Sequence, residues 1–340
     1  MKIVYFTETY HPQKDGVVKV IDLYKKELEK RGHKVYIFAP GPGRKEKDVF
    51  RFRSIVFKPY PEYRIALPKA RLIKKIIEIK PDIIHLHGPM TAGLMGLSVA
   101  KILGIPVIVT YHTHLTEYTD FLTKRAKKVG KAITIKYIKW FHNRADVIIS
   151  PSKPIAKELK QYGIIKPIKI IPTGLDIKPR NKIRKLNKTP MILHVGRLCK
   201  EKSIDVIIKE FKKIKNGKLI ILSKGPDEKR LKDLVKKLHL EKKVKFTGRV
   251  SDKKRDKYYK TCDVFVSASS TETQGMVVLE AMAYGCPVIA RHARGFKDII
   301  KNGYNGLLFK KDSELHTKIE KLLLNNKLRK KLIKNGYKTT

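Results

Sequence analysis

Hydrophobic and polar positions along the chain form two alternating kinds of segment. Short apolar runs rich in β-branched and aromatic residues, such as KIVYF and KVYIFAP, predict strands. Apolar residues spaced three and four apart predict helices, and the first such helix ends at Gly32. Its apolar positions are Val17, Val20, Leu23, Tyr24 and Leu28. Strands and helices that alternate with short connections are typical of parallel α/β layering.

The same alternation continues to the end of the chain. The first half has further strands in PDIIHLHG, IPVIVTYH and ADVIISPS. The second half begins with a strand in KPIKIIPTG and continues with MILHVGRL, KLIILSKG, KVKFTG, CDVFVSAS and PVIARH. We place the domain boundary near Pro167–Asp176 and expect two Rossmann-like, doubly wound parallel-sheet domains, residues 1–170 and 171–340. Ligands of such sheets bind outside the carboxyl ends of the strands, so we expect the two domains to face each other across a cleft that holds the site.

Two common nucleotide-binding motifs are missing from the sequence. The first strand is followed by TETYHPQKDGV rather than by GxGxxG, which disfavours a nicotinamide dinucleotide fold. No GxxxxGK[ST] occurs, which disfavours a P-loop NTPase. The GPG at 41–43 is typical of a plain turn.

The chain of 340 residues has a formal net charge of +46. Such a charge attracts polyanions, namely nucleic acid, anionic lipid surfaces or phosphorylated small molecules. Residues 1–170 hold 34 basic and 14 acidic side chains, and residues 171–340 hold 43 and 17. The excess is therefore spread over both halves, which favours a compositional origin. A nucleic-acid-binding protein is an alternative that rests on charge alone, because no RNP, KH, zinc-finger or helix-turn-helix signature is present, and we expect no specific nucleic-acid partner.

The sequence shows neither a membrane-spanning run nor a signal peptide, so we expect a cytoplasmic protein. No apolar run approaches the ~18 residues that a spanning helix needs, and the opening MKIVYFTETY predicts a strand rather than a signal peptide. The cysteines, Cys199, Cys262 and Cys286, show no CxxC spacing. We therefore expect neither a disulfide scaffold nor a structural zinc site, in keeping with a reducing compartment.

The segment SASSTETQGMVVLEAMAYGCPVIA, residues 267–290, combines several features that suit a nucleotide sugar. A strand runs into a loop with Glu272, and Gly275 precedes a helix that contains Glu280. The N–H groups at a helix start can bind phosphate, a loop carboxylate can accept from sugar hydroxyls, and a second carboxylate two turns on can hold a ribose. The alternative is a solvated glutamate pair near a helix start, stabilised by the helix dipole.

These motifs, taken together, closely resemble those of the retaining glycosyltransferases of family 4, which have the GT-B fold. The glutamate pair in its GMVVLEAMAYGCPVIA context is joined by HVGRLCKEKSID, FTGRVSD, IPTGLD, FTETYHPQKDGVVKVI and RGHKV. The resemblance spans nearly the whole chain, in the family's order. It implies a hexosyltransferase that uses a UDP- or GDP-linked sugar, without a cofactor or a metal. A sugar phosphorylase of the same fold is a further alternative.

The resemblance assigns the donor diphosphate to three positions. Arg197 and Lys202 are expected to clamp it, since two cations stabilise the growing charge of a leaving nucleotide. Gly16 is expected to let backbone N–H groups approach the phosphate from the first domain. The family often has two glycines at this point, whereas this chain has Asp15 before Gly16, which makes the loop less flexible.

The resemblance assigns the donor sugar and the nucleoside to the loop and helix of the second domain. Glu272 is expected to bind sugar hydroxyls and to be catalytic. The accompanying backbone amides belong to Gln274, Gly275 and Met276. The nucleoside contacts belong to Arg249 or Val250 at the base and Glu280 at the ribose.

Histidines end two strands of the first half. By resemblance His112 sits near the transferred sugar and is the second catalytic candidate. His114 follows on the same face of an extended strand, but a metal site lacks an evident third ligand. His85 and His87, also spaced by two, either line the strand end near the cleft or pack locally.

Retention of the anomeric configuration in this family is usually discussed as front-side attack, in which the leaving phosphate helps to deprotonate the acceptor. That scheme requires no carboxylate nucleophile.

The acceptor prediction rests on two features. TYHTHLTEY resembles the acceptor motif of glycolipid-forming members, so we expect a lipid or saccharide acceptor. Residues 121–145 hold eight basic and no acidic side chains, with a possible helix break at Gly130. Their apolar positions at helical spacing are Leu122, Ala126, Val129, Ile133, Tyr137 and Trp140. The segment is either a peripheral contact with an anionic membrane on its inner face or a core-facing helix with a lysine-rich outer side.

The chain's last segment, NNKLRKKLIKNGYKTT, ends soon after the final helical pattern. Family members commonly finish with a helix that crosses back onto the first domain. We predict that this crossing is short or absent here.

Overall fold

The computed structural model describes residues 1–13, 15–57, 64–68, 70–112, 115–116, 124–179 and 183–340. The chain forms two compact units, Met1–Thr173 and Gly174–Thr340. Both are α/β units built on a parallel sheet.

The first unit alternates strands and helices around a sheet of order β4-β3-β2-β1-β5-β6-β7-β8. Neighbouring strands are parallel except β3 and β4, which are antiparallel. Its elements are β1 Lys2–Phe6, α1 Gly16–Lys30, β2 Lys34–Pro40, β3 Val49–Val56, β4 Arg64–Leu67, α2 Ala70–Ile79, β5 Ile83–Leu86, α3 Thr91–Leu103, β6 Val107–Thr110, α4 Lys124–His142, β7 Val147–Ser150, α5 Lys153–Gln161 and β8 Ile168–Ile170.

Strand β1 shows why this sheet needs helices on both faces. Val4 and Phe6 belong to one apolar cluster, and Ile3 and Tyr5 belong to another on the opposite face. Burial of each such side chain contributes about 1.5–3 kcal/mol. Helix α3 packs so closely that a Cβ at Gly96 would lie 2.7 Å from the Phe6 ring, so a Gly96→Ala change would force the helix away from the sheet.

The second unit has the sheet order β11-β10-β9-β12-β13-β14, and its paired strands are parallel. Its elements are β9 Met191–Val195, α6 Ile204–Phe211, β10 Lys218–Leu222, α7 Glu228–Lys237, β11 Val244–Phe246, α8 Asp252–Thr261, β12 Val264–Ser267, α9 Met276–Ala283, β13 Val288–Arg291, α10 Phe296–Ile299, β14 Leu307–Phe309, α11 Glu314–Leu324 and α12 Asn326–Thr339. A 3-10 turn, Lys200–Lys202, follows β9. The parallel α/β prediction is confirmed for both halves.

Several predictions about individual elements need correction. The strand in KPIKIIPTG does not open the second half: β8 pairs with β7 and extends the first sheet. Strands β3, β4 and β14 were not predicted, since the first two are only partly buried and β14 has only three residues. Helix α4 runs without a break through Gly130.

The cysteine prediction needs correction at one pair. Cys262, at the end of α8, and Cys286, just before β13, form a disulfide. They are 24 residues apart, so no short spacing signals the pair, and only the parallel neighbours β12 and β13 bring them together.

Helix α12 packs inside the second unit. A Cβ at Gly336 would lie 3.3 Å from Met282 of α9, and the hydroxyl of Thr339 accepts from Asn305 at 2.9 Å. A short or absent crossing onto the first unit stays a prediction. Within the described ranges, none of the helices is both long enough and apolar enough to pass through a bilayer.

Candidate active site

An ion pair lies beyond the carboxyl ends of β9 and β12 in the second unit. Lys202, in the 3-10 turn after β9, donates from Nζ to Oε1 of Glu272, in the loop after β12, at 2.5 Å. These strands are neighbours in the sheet, so both loops emerge at the same edge. The structure thereby brings together two residues that the sequence assigned separately, one to the diphosphate and one to the sugar.

Both members of this pair are held in their charged forms. Burial disfavours the charge on Lys202, but the Glu272 carboxylate beside it raises the Lys202 pKa above its ordinary 10.5. Burial likewise disfavours the Glu272 anion, but Lys202 and a hydrogen bond from Ser269 hold the Glu272 pKa below its ordinary 4.5. The ammonium has three donors and the carboxylate has two oxygens, so each keeps capacity for a ligand after this bond.

The loop that presents Glu272 is shaped by tight backbone packing. Gly275 has φ +94°, and a Cβ there would lie 2.6 Å from the Phe296 ring. Gly295 donates its N–H to the carbonyl of Glu272 at 3.1 Å. Gln274 is buried, and α9 begins at Met276. The amides of Gln274, Gly275 and Met276 therefore lie in a fixed loop, consistent with their predicted place beside a sugar.

Glu280, on α9, has a partner that the sequence did not predict. The Tyr259 hydroxyl of α8 donates to Glu280 Oε2 at 2.9 Å, and Glu280 is only 4% exposed. Burial and the nearby carboxylate raise the Tyr259 pKa well above its usual range. The Tyr259 ring stacks on Tyr284 with centroids 5.7 Å apart. One carboxylate oxygen of the predicted ribose-binding residue is thus already fixed.

The remaining predicted donor residues lie at separate points. Arg197 is partly exposed in the loop after β9, the loop that also leads to Lys202. After β11, Arg249 is exposed and Val250 packs partly against the core. Gly16 begins α1 in the first unit, where the Asp15 carboxylate accepts the N–H of Val18 at 2.9 Å. One of the amides expected to meet phosphate is therefore already capped.

Three histidines lie in contact at the carboxyl edge of the first sheet. His87 Nδ1 is 2.9 Å from His112 Nε2, and His85 Nε2 is 2.7 Å from the Thr110 hydroxyl. The His85 and His87 ring centroids are 4.1 Å apart. Burial lowers the pKa of His85 to about 3 and that of His112 to about 4, and it lowers the pKa of His87 well below 6.5. All three are neutral at physiological pH. His114 lies outside the described residues.

Two ionisable groups near these sites were missed in the sequence analysis. Glu8, just after β1, accepts the N–H groups of Ala92 and Gly93 at the start of α3, and burial raises its pKa to about 7. His194, at the end of β9, donates from Nδ1 to the Val266 carbonyl at 3.0 Å, and burial lowers its pKa to about 4. The histidine of HVGR could have been marked from its motif, but Glu8 is recognised only through its three-dimensional contacts. Across the described part of the chain, no three metal-ligating side chains are grouped as a metal site.

Two family models match the chain. Residues 14–178 match the model "Glycosyltransferase Family 4", and residues 177–339 match "Glycosyl transferases group 1". The two matches meet within a few residues of the boundary between the structural units.

Relatives along the whole chain agree with these models. The alpha-monoglucosyldiacylglycerol synthase of Acholeplasma laidlawii is 31% identical, covering 93% of this chain and 86% of that protein. The enzyme of the same name from Streptococcus pneumoniae is 32% identical, covering 93% and 76%. A GDP-mannose-dependent alpha-mannosyltransferase of Mycobacterium tuberculosis is 28% identical, covering 91% and 83%.

Solved structures show the same fold. Sucrose-phosphate synthase from Thermosynechococcus elongatus superposes with a TM-score of 0.81 at 20% identity, covering 100% of this chain and 94% of that one. Anabaena Alr3699/HepE in complex with UDP-glucose superposes with a TM-score of 0.79 at 19% identity, covering 99% and 94%. The two-domain α/β architecture of this chain is therefore the GT-B fold.

The chain belongs to glycosyltransferase family 4. Its activity is that of a hexosyltransferase, which confirms the class that the motifs predicted. The comparisons favour neither a nucleic-acid-binding protein nor a sugar phosphorylase.

Proposed function

We propose that this enzyme transfers a hexose, with retention of configuration and without a metal ion, from a UDP- or GDP-linked donor to a hydroxyl of a diacylglycerol-type lipid. The observation that carries the proposal is the partly buried Lys202–Glu272 ion pair, because it combines a cation for a diphosphate with an anion for sugar hydroxyls. The lipid acceptor is supported by two relatives named as monoglucosyldiacylglycerol synthases.

The two charges of the ion pair bind different parts of the donor. One ammonium hydrogen of Lys202 is bound by Glu272, and the others can bind oxygens of the diphosphate as negative charge grows on it. Arg197, from the same loop, adds a second cation. The Glu272 carboxylate accepts from sugar hydroxyls, and Glu280, held by Tyr259, accepts from the ribose. This arrangement binds the leaving group more tightly as the bond to the sugar breaks, which lowers the barrier.

The donor test measures product directly. The protein is incubated with UDP-glucose, UDP-galactose or GDP-mannose and vesicles that contain diacylglycerol, and both nucleoside diphosphate and glycolipid are quantified. We expect one donor to give glycolipid with unchanged activity in EDTA and with the donor's anomeric configuration, read by proton NMR. Inverted product, or loss of activity in EDTA, contradicts those parts of the proposal. Lack of transfer from every donor, together with steeply salt-dependent DNA binding, contradicts it entirely.

The surface of α4 supports an approach to anionic membranes. Val129, Ile133 and Trp140 are 60%, 62% and 43% exposed and share one helix face. The core contacts are made instead by Ile138 and Phe141, so Val129, Ile133 and Trp140 do not face the core. Leu122 and the side chain of Ala126 lie outside the described part of the chain. Lys136 lies among the exposed apolar side chains, and the Arg144 guanidinium lies 4.1 Å from the Trp140 ring. An exposed face that mixes apolar and basic side chains suits an anionic interface.

Membrane binding is tested by flotation with vesicles of phosphatidylglycerol or of phosphatidylcholine. We expect flotation with the anionic vesicles only, weakening as salt rises, and reduced by the double change Val129→Asn and Ile133→Asn. The matched control is Leu324→Asn, an exposed leucine of α11. Equal flotation of the double variant and the wild type contradicts α4 as the contact. With α4 as that contact, the enzyme acts from the cytoplasm on the inner face of the membrane.

A further inference from the structure

The histidine cluster of the first unit consists of His85, His87 and His112. Its contacts determine which nitrogen of His112 carries the hydrogen, as well as where the ring lies. His87 Nδ1 and His112 Nε2 are 2.9 Å apart, so one ring must donate a hydrogen and the other must accept it. Both rings are neutral, because burial lowers the pKa of each, and a charge on His112 would lower the pKa of His87 further. The hydrogen bond therefore has two possible directions, one for each pair of tautomers.

The surroundings of His87 Nε2 show which ring donates the hydrogen bond between His87 and His112. His87 Nε2 is buried, and it has no hydrogen-bond partner among the described residues. If His112 donated, the hydrogen of His87 would sit on Nε2 as a buried N–H without an acceptor, which is rare in folded proteins. If His87 donates from Nδ1, its Nε2 is a bare ring nitrogen, which is tolerated more readily.

Neighbouring groups hold the His87 ring in this orientation. The Tyr5 ring of β1 packs against it with centroids 4.6 Å apart at 60°, and the His85 ring covers another side. His87 is 3% exposed and Tyr5 is fully buried, so the His87 ring has little freedom to flip. Its Nδ1 stays directed at His112.

We propose that His87 is a positioning residue that donates its Nδ1 hydrogen to His112 and thereby fixes His112 as the tautomer with its own hydrogen on Nδ1. This inference deepens the proposed function and rests on it for the role of His112. Because the Nε2 lone pair of His112 is taken, His112 cannot remove a proton through that nitrogen. It acts on the transferred sugar or the acceptor as a hydrogen-bond donor.

The proton balance of the transfer then excludes His112 as the base. The bond from the anomeric carbon to the acceptor oxygen forms, and the bond from that carbon to the diphosphate oxygen breaks. The proton of the acceptor hydroxyl passes to an oxygen of the leaving diphosphate, which takes the electron pair of the broken bond. His112 keeps its hydrogen throughout.

The tautomer is measured by nitrogen-15 NMR of the histidine-labelled protein, with the His112 signals assigned by their loss in His112→Gln. We expect a neutral His112 ring with hydrogen on Nδ1 and a bare, hydrogen-bonded Nε2. Hydrogen on Nε2 of His112 overturns the proposal. This result does not depend on turnover, so it separates a wrong tautomer from a wrong enzymatic activity.

Kinetics of two variants test the positioning role. His87→Asn can keep an N–H donor near the position of Nδ1, whereas His87→Leu removes it. We expect kcat to fall about tenfold in His87→Leu with the donor KM nearly unchanged, and to recover most of that loss in His87→Asn. The control is His239→Asn, a histidine at an exposed position of the second unit, which should keep wild-type kinetics. Equal losses in the two His87 variants, or no loss in either, contradict the positioning role.

Discussion

The carboxyl edges of the two sheets differ in charge. At the first edge, three buried histidines contact one another and all are neutral. At the second edge, Lys202 and Glu272 are also largely buried, yet both are charged because each stabilises the other. Similar parallel sheets thus present an uncharged hydrogen-bonding surface in one unit and a paired charge in the other.

This difference suits two parts of one reaction. A nucleotide diphosphate carries negative charge that grows as the sugar leaves, so it needs fixed cations with little surrounding water. An acceptor hydroxyl is neutral and needs directed hydrogen bonds, which neutral histidines supply. We therefore propose that the second unit binds the donor and the first contacts the acceptor, and each prediction below gives a result that would contradict this proposal.

The largest effect is expected from the charged pair. Lys202→Ala and Glu272→Ala should each lower kcat/KM by about 10²- to 10³-fold, since each removes charge stabilisation and leaves the partner's charge buried alone. Steady-state transfer assays measure this. Lys209→Ala, which removes an exposed lysine paired with Asp205 at 3.4 Å, should be neutral. Wild-type kinetics in both pair variants would refute the site.

The loop beneath Glu272 gives the next largest effect. Gly275→Ala should lower the free energy of unfolding by about 3 kcal/mol, because the new Cβ meets the Phe296 ring and the backbone has φ +94°. Gly303→Ala is the matched control: its φ is +75°, but nothing lies within 4 Å of the added Cβ. Denaturant unfolding should show the larger loss at Gly275. Equal losses would mean that backbone strain alone is at work, without the clash.

Lowering the pH should weaken the first edge before the second. His85 has its pKa lowered from 6.5 to about 3, so the unfolded chain binds a proton that the folded chain does not. Its stabilisation is complete above pH 6.5 and is lost as the pH falls toward 3, by up to about 1.4 kcal/mol per pH unit. The Glu272 contribution is complete above 4.5 and is lost only at lower pH.

Unfolding measured between pH 7.5 and 5 checks this sign. The buried His142 and His194 act in the same direction, so His85→Gln should flatten the slope rather than abolish it. A slope that is identical in His85→Gln and the wild type contradicts a neutral buried His85.

The smallest effect is expected at the ribose carboxylate. Tyr259→Phe should raise the donor KM about fivefold with kcat unchanged, since it removes one hydrogen bond worth about 1 kcal/mol that fixes Glu280. Steady-state kinetics with varied donor give both constants, and Tyr258→Phe serves as the neighbouring control. A fall in kcat without a change in KM would place Glu280 in the chemistry rather than in binding.

Local patterns predicted most of the fold but few of the contacts. β2 begins and ends where the apolar run KVYIFAP does, because a buried parallel strand is apolar on both faces. The motifs marked Lys202 and Glu272 individually, while their ion pair depends on which strands are neighbours. The partners of Glu280 and His112, and the Cys262–Cys286 bond, are likewise fixed by sheet order, which no local pattern contains. The apolar positions of α4 gave the right helix, but which face is buried depends on what the helix packs against.

The division between the two edges is tested most directly by calorimetric titration of the nucleoside diphosphate into three proteins: wild type, Lys202→Ala and His112→Asn. We predict that binding is strongly weakened in Lys202→Ala, and that His112→Asn binds like the wild type although its transfer activity is reduced. Nucleotide binding weakened as much by His112→Asn as by Lys202→Ala would contradict the assignment of donor and acceptor to the two units.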